Sequence, residues 1–464
     1  MNLNIAPRAV SGLDSVDAAK LQELINVYNK HKTKNAEKER YYEGKISLNE
    51  VNLGIALPDG LRKLEIGCAW GAKTVDVLAG LSIFDGFVGP DGEAVSELDD
   101  VVSENRLQTE YLKACVDELK TGAAFATLSS DGKGGCKIRF HSALSASALW
   151  NGEKGRIDCG LAIIDTAPDN ERGDTWSPSL VNMYTDTDII VLRRNNNRWT
   201  AEYHKHRMGR PLMEPLIWNG TSQKPFGRSR IKEPIRRLIQ GFVRTVANAT
   251  IGLEFATSPQ KYLLGVTDEQ FSAVVDQKFK NYVGSILTAT TNPDTGETPS
   301  FGQLSQGTIG PHVEMMRILS TQFSAATGLP VTDTGIVNDA NPTSSDAILA
   351  QSKTLIRMAE TLNAGNGDSL RVIAQMAIAI KEGKALSELS TEQLDIIAHF
   401  RNPAMPSIAV TADAAIKIAG ARPGFAQTDT FLSMVGFDQA EIRRIKAQEQ
   451  RSRGLEFLKE LSEA

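Results

Sequence analysis

Residues 323–360, "FSAATGLPVTDTGIVNDANPTSSDAILAQSKTLIRMAE", hold two helices and a joint between them. Gly310-Pro311 opens the first helix, predicted over 311–327. Gly328 and Pro330 close it, because glycine takes the left-handed backbone that ends a helix and proline cannot extend one. A polar loop, residues 331–343, follows, and Gly335 gives its middle unusual backbone freedom. Thr343 or Ser344 then caps a second helix that reaches about Ile380, some ~50 Å at ~1.5 Å per residue. Gly365 and Gly367 fall in its middle and predict a kink. The loop contains no Lys or Arg, and its acids are Asp333 and Asp339.

Upstream, a long helix is predicted from about Arg230 to Phe255. Ile231, Ile235, Leu238, Phe242, Val246, Ala249 and Leu253 form an apolar stripe at 100° per residue. Lys232, Arg236, Arg237, Gln240 and Arg244 gather on the other side, and Glu233 is the one acid before Glu254. Such a face is either solvated or set against an anionic neighbour. Residues 258–310 read as a compact insert, with a helix at 268–281 and short β-type pieces around "NPDTGETPS".

The N-terminal half reads as mixed. Leu21, Leu24, Ile25 and Tyr28 mark one helical face over 17–31. Residues 75–90 and 104–120 read as helices. From 123 to 205, β-type runs such as "KIRFHSA", "CGLAIID" and "DIIVLRR" alternate with turns like "SDGKGG". The tail, 404–464, has one β-type run, "SIAVTA", and then helical pattern to the end.

The stretch "LEIGCAWGAKT", residues 64–74, imitates two cofactor loops. A loop for S-adenosylmethionine needs a buried strand before it and an acid about 20 residues on. Here Arg62, Lys63 and Glu65 interrupt the strand, and no βαβ rhythm follows. A P-loop needs glycine where Ala72 stands, so that backbone N–H groups can close on phosphate. Gly67 and Gly71 therefore read as a bend before a helix, with Lys73 dispensable.

The bulk numbers fit a globular protein of several units. The 464 residues are 41% hydrophobic and 23% charged, with a net charge of −5. No overall basicity points to nucleic acid. Cys68, Cys115, Cys136 and Cys159 form no C-x-x-C pair and read as reduced structural thiols. His204 and His206 could share a strand face, but without a nearby acid or cysteine they read as solvated rather than as metal ligands. No metal and no cofactor is expected. No apolar run approaches the ~20 residues a bilayer span needs, and "MNLNIAPRAV" has no signal-peptide core. The chain is expected to be made in a cytoplasm, with no membrane partner.

The order of these parts resembles the portal protein of tailed bacteriophages, the siphophage-type family. Four segments carry the resemblance: "NVYNKHKTKNAEKERYYEGK", "KTVDVLAGLSIFDGFVG", the segment from "KPFGRSRIKEPIRRLIQG" to "FATSPQKYLLG", and the stretch quoted at the outset. The resemblance implies an α+β subunit. A mixed wing would span 1–228, a first stem helix 229–257, a clip 258–308 and a second stem helix 309–328. A tunnel loop would follow at 329–343, the long kinked helix with the rest of the wing at 344–403, and a helical crown at 404–464. It implies a dodecameric ring at one capsid vertex, through which double-stranded DNA is packaged and ejected. Its partners would be further copies of itself, the terminase large subunit, the major capsid and scaffolding proteins and a head–tail adaptor. Thr332, Asp333, Thr334, Asn338, Asp339, Asn341 and Thr343 would line the channel, and the basic face Lys232, Arg236, Arg237 and Arg244 would serve the stem. The competing readings are another head–tail structural protein, such as a minor head protein or adaptor, or an enzyme built on residues 64–74. No H-E-x-x-H, G-x-S-x-G or paired-carboxylate signal supports catalysis.

Overall fold

The computed structural model describes residues 3–46, 66–168, 176–195, 198–257, 261–265, 291, 296, 298, 300–303, 308–335, 345–404, 408–422, 424–437 and 439–463. The helix expected at 268–281 lies outside them, as do Asn338, Asp339, Asn341 and Thr343.

Helix α1, Ser15–Tyr42, starts where the Asp14 carboxylate accepts the Val16 N–H at 3.1 Å, an N-cap that satisfies one orphan donor. The predicted residues Leu21, Leu24, Ile25 and Tyr28 are all buried. They pack with Cys159, Leu161, Val181, Met183, Ile190 and Leu192 of an antiparallel sheet. That sheet runs in the order β4 (Ala146–Asn151), β5 (Arg156–Pro168), β6 (Trp176–Tyr184), β7 (Asp188–Asn195), β8 (Arg198–Lys205). In β7 the buried Ile190 and Leu192 alternate with less buried neighbours, the period of two that gives a sheet one core face.

A second sheet has the order β3 (Cys136–Ser142), β2 (Ala123–Ser130), β9 (Met213–Ile217). β9 went unread in the sequence because Pro215 argues against a strand. It is tolerated because β9 is an edge strand. The helices here are α2 (Trp70–Ala79), α3 (Asp99–Glu104) and α4 (Leu107–Thr121). The helix expected over 75–90 stops at Ala79, and Phe84–Val88 is strand β1, paired antiparallel with β12 (Ile397–Phe400). Its partner lies some three hundred residues downstream, which no local pattern could show.

Helix α5, Glu233–Thr257, packs along α6, Gly310–Thr327. Gly241 permits the approach: a Cβ there would lie 3.3 Å from Leu319 Cδ2. The buried apolar residues of α5 are Ile235, Ile239, Val243, Ala247 and Ala249. Of the predicted stripe, Ile231, Ile235 and Ala249 are buried, Leu238, Phe242 and Val246 are half-buried, and Leu253 is 45% exposed. The short strands β10 (Lys261–Leu264) and β11 (Ser300–Gln303) pair with each other. Helix α7, Ser345–Glu382, is unbroken over 38 residues. Its buried positions Leu355, Ala359, Leu362, Asn366, Leu370, Ile373 and Ala377 recur every three or four residues, the stripe of a core-facing helix. After the short α8 (Thr391–Leu394), the tail forms α9 (Ile408–Ala421), α10 (Asp429–Val435) and α11 (Gln439–Glu463). The β-type run "SIAVTA" thus belongs mainly to α9. The alanine-rich stretch after it favours helix, and strand propensity is weak without a neighbouring edge to pair with.

All four cysteines are free and buried. Burial pushes the Cys68 thiol up to about 11 and those of Cys136 and Cys159 to about 12, which leaves them unreactive.

Between the two predicted kink glycines, Asn366 enters the core. Its amide donates to Tyr111 Oη at 2.9 Å and to Glu118 Oε2 at 2.8 Å, and Tyr111 shares a 2.7 Å hydrogen bond with Ser82 Oγ. Burial pushes the Glu118 carboxyl up to about 8, partly offset by the Asn366 bond. Because the folded value lies above the ordinary 4.5, the stability from this group is complete below pH 4.5 and is lost as pH rises to about 8. Relative to Glu118→Gln, the wild type should lose about 1 kcal/mol per pH unit across that window. Denaturation midpoints of both proteins at pH 5 and pH 8 measure this. A gap that stays constant means the carboxyl is already ionised inside the fold.

Candidate functional site

The segment that imitated a cofactor loop supports the joint between α6 and α7. Trp70 lies between Phe242 of α5, at 4.3 Å between ring centroids, and Phe323 of α6, stacked at 4.5 Å. Its indole N–H donates to the Thr334 carbonyl at 3.1 Å. One turn on, the Lys73 ammonium donates to the Asp333 carbonyl. The expected bend is real, but α2 begins at Trp70, and Gly71 lies within its first turn. Any side chain at Gly71 would collide with the Tyr41 carbonyl, 1.9 Å from its Cβ position. Lys73, read as dispensable, has a structural task that no local pattern revealed.

The held segment is a 3-10 turn, Val331–Thr334, ended by Gly335 at φ 80°. The Thr334 hydroxyl bonds to Ser320 of α6 and donates to the Val331 carbonyl. Just before it, Gly328 ends α6 at φ 75°. A Cβ there would meet Met358 and Thr354 of α7 at 3.2 Å. Glycine is required twice over, by its backbone angle and by the approach of α7.

Arg230 ties the same region together from below. Its Nε donates to the Thr74 carbonyl at 2.6 Å, and one terminal nitrogen donates to the Thr327 carbonyl at 2.8 Å. It also lies over the Trp218 ring at 5.8 Å. Burial lowers the guanidinium to about 10, still charged at neutral pH. The Thr327 carbonyl is one that the end of α6 leaves unsatisfied, whereas Thr74 lies within α2, where Arg230 is an additional donor to its carbonyl.

The predicted loop residues divide. Thr332 is exposed and Asp333 half-buried. Thr334, expected to face DNA, is turned inward at 7% exposure because its hydroxyl closes the turn. The predicted basic face is divided too. Arg236 pairs with Glu37 at 3.1 Å, and Arg237 with Glu233 at 3.3 Å. Lys232 is exposed and Arg244 half-buried. Gly365 and Gly367 flank Asn366, and Gly367 lies against Phe400. His204 is exposed near Glu202, whereas His206 is half-buried, with its ring accepting the Met208 N–H. Among the described residues no group of three or more His, Cys, Asp or Glu could hold a metal, and no helix is long and apolar enough to cross a membrane.

A helix pair leads into a braced polar joint and then a long helix, beside a mixed sheet region, which is the order of parts expected of a portal-type subunit. The description "Phage portal protein, SPP1 Gp6-like" matches residues 21–454, and the chain belongs to that family. The portal protein of Mycobacterium phage L5 is 22% identical over 451 residues, 93% of this chain and 89% of that one. The portal protein of Mycobacterium phage D29 is 23% identical over 432 residues, 90% of this chain and 86% of that one. Among solved structures, a chain from the neck of an empty gene transfer agent particle aligns with 79% of this chain and 90% of its own, at 10% identity and a TM-score of 0.45. Portal proteins are structural parts of the phage virion, and neither the minor-head nor the enzyme reading is favoured.

Trp70→Ala should cost about 3–5 kcal/mol, the usual loss for a buried aromatic, seen in denaturant midpoints. Lys73→Met should move the midpoint by about 1 kcal/mol or less, the worth of one hydrogen bond, yet speed protease cleavage within 331–343. Unchanged cleavage would show that Lys73 does not hold the loop.

Proposed function

We propose that the chain closes into a ring of twelve copies around a channel for double-stranded DNA, and that residues 331–343 form its narrowest point. The observation that carries this reading is the bracing of the turn 331–334 by Trp70, Lys73 and Ser320. A surface connection has no need of an aromatic keystone and a lysine at one end. In a ring, the same bracing holds twelve loops at one height around the axis.

In this reading Thr332, Asn338, Asp339, Asn341 and Thr343 meet DNA by steric and polar contact, without base readout. Asp333 adds negative charge, and Thr334 anchors. A channel that lets DNA slide avoids tight phosphate binding, which would release counterions and hold the duplex still. The loop accordingly carries acids and no Lys or Arg. Helices α5 and α6 are the stem, the segment between them the clip, residues 1–228 with α7 the wing, and 404–464 the crown. Lys232, Arg236, Arg237 and Arg244 serve the stem, and Gly365 and Gly367 supply bending in α7. The terminase large subunit, the major capsid and scaffolding proteins and a head–tail adaptor are the external partners.

Light scattering and negative-stain imaging of the purified protein should give a ring near twelve subunit masses with a central hole. A small oligomer overturns the reading. Deleting residues 335–339 should leave the ring intact and lower genome packaging or DNA retention. Shortened rings that fill heads with full genomes at normal efficiency would remove the loop from the constriction.

A further inference from the structure

Two clefts flank the start of α5, and cations dominate both. The larger, about 930 Å³, lies between α1 and residues 224–236. Lys34, Lys38, Lys224, Arg228, Lys232 and Arg236 line it. Its carboxylates are Glu37 and Glu233, already engaged by Arg236 and Arg237. The smaller, about 590 Å³, shares Lys232 and adds Arg230, Lys353 and Arg357, with no acid in its walls. Lys34, Lys224, Arg228 and Lys232 are exposed and make no ion pair among the described residues.

The cations of the cleft outnumber its two acids, and the effects on neighbours agree. Burial and nearby Arg236 lower the Lys38 ammonium to about 8. His31 is lowered by burial and by Lys30, Lys34 and Lys38. In a chain of net charge −5, such a concentration leaves a matching excess of acid elsewhere. An anion entering the cleft relieves this repulsion.

The cleft's shape selects the anion. Lys38 lies deep, its ammonium bonded to Asn35 Oδ1 and the Thr121 carbonyl. A cleft of this volume admits carboxylate side chains from a protein segment, whereas a duplex would touch only its rim. The chain carries such a segment. Residues 91–104, "DGEAVSELDDVVSE", hold six acids and no Lys or Arg. Arg443 pairs with Asp99 and Lys446 with Glu93, but Asp91, Glu97 and Glu104 are exposed and pair with no cation among the described residues.

The two surfaces lie at opposite ends of one helix. The acidic segment ends three residues before α4 begins, and Thr121, the last residue of α4, lines the basic cleft. Fifteen residues of helix separate them by about 22 Å, so one copy cannot pair its own two surfaces. A ring needs two different patches that meet head to tail.

We propose that the acidic segment 91–104 of one copy docks in the basic cleft between α1 and the start of α5 on the next. The proposal rests on the ring reading and names the surfaces that close it.

The test uses the full chain at about 0.15 M salt, sized by light scattering, with circular dichroism as the check on folding. Lys34→Glu with Arg228→Glu should fold normally and lose rings by tenfold or more. Glu97→Lys with Glu104→Lys should do the same. All four changes in one chain should restore rings, because each interface then pairs reversed charges. Rings that survive either double reversal overturn this interface while leaving the ring reading intact. Failure of the fourfold chain to recover overturns the pairing of these two surfaces. A wild-type chain that forms no ring under the same conditions overturns both.

Discussion

The indole of Trp70 is the contact on which the rest of the site depends. Helices α5 and α6 each present one phenyl ring, Phe242 and Phe323, and Trp70 fills the space between them. A buried aromatic contributes through its large contact area and its ring geometry. Its one polar atom must also find a partner, and the Thr334 carbonyl supplies it. The packing that fixes the helix pair therefore also fixes the start of the polar loop. Lys73 and Thr74, one turn on from Trp70, extend the same support, with Arg230 reaching the Thr74 carbonyl.

A second constraint holds the far half of α7. Asn366 is fully buried, and its amide binds Tyr111 and Glu118, both fully buried. Burying a carboxyl is unfavourable, and here the cost is reduced by keeping the proton on Glu118. Glu118 Oε1 and Asn366 Oδ1 still lack partners among the described residues. Such a knot stabilises little compared with an apolar core. It specifies register, because a shift of α7 by one residue would strand every polar atom in it. Packing does not require the flanking glycines: a Cβ at Gly367 would lie in ordinary contact, 3.6 Å from the Phe400 ring, and one at Gly365 would meet nothing within 4 Å.

How much of this was legible depended on how local the cause was. The end of α6 was readable because Gly328 and Pro330 act on their own backbone. The sheet region 123–205 and the buried face of α1 were readable from period. Strand β1 was misread because only its pairing with β12 makes it a strand. Pro215 hid β9 until the sheet order showed it to be an edge. The apolar stripe of α5 was recovered in part, with Ile231, Ile235 and Ala249 buried as expected, but Ile239, Val243 and Ala247 were missed, since α6 and α2 choose which side is innermost. The family resemblance lay in the order of elements. The braces did not, because Trp70 and Lys73 lie about 260 residues from the turn they hold. Gly71 looked like cofactor chemistry because close backbone approach has the same signature whether phosphate or the Tyr41 carbonyl is the neighbour.

The manner in which Lys73 holds the loop bears on how DNA would pass it. An ammonium paired with the Asp333 carboxylate would neutralise the one described acid of the loop. Lys73 instead donates to the Asp333 main-chain carbonyl, which fixes the backbone without pairing with the carboxylate. The lysine is itself half-buried behind the turn, so its charge is not offered to a phosphate in front of it. Backbone position and side-chain charge are thereby handled separately: Lys73 holds the turn through its main chain, and the Thr334 hydroxyl closes it from within. In the proposed channel, negative charge on the loop would keep passing phosphates from settling, and the bracing of the turn 331–334 would keep that repulsion from displacing it.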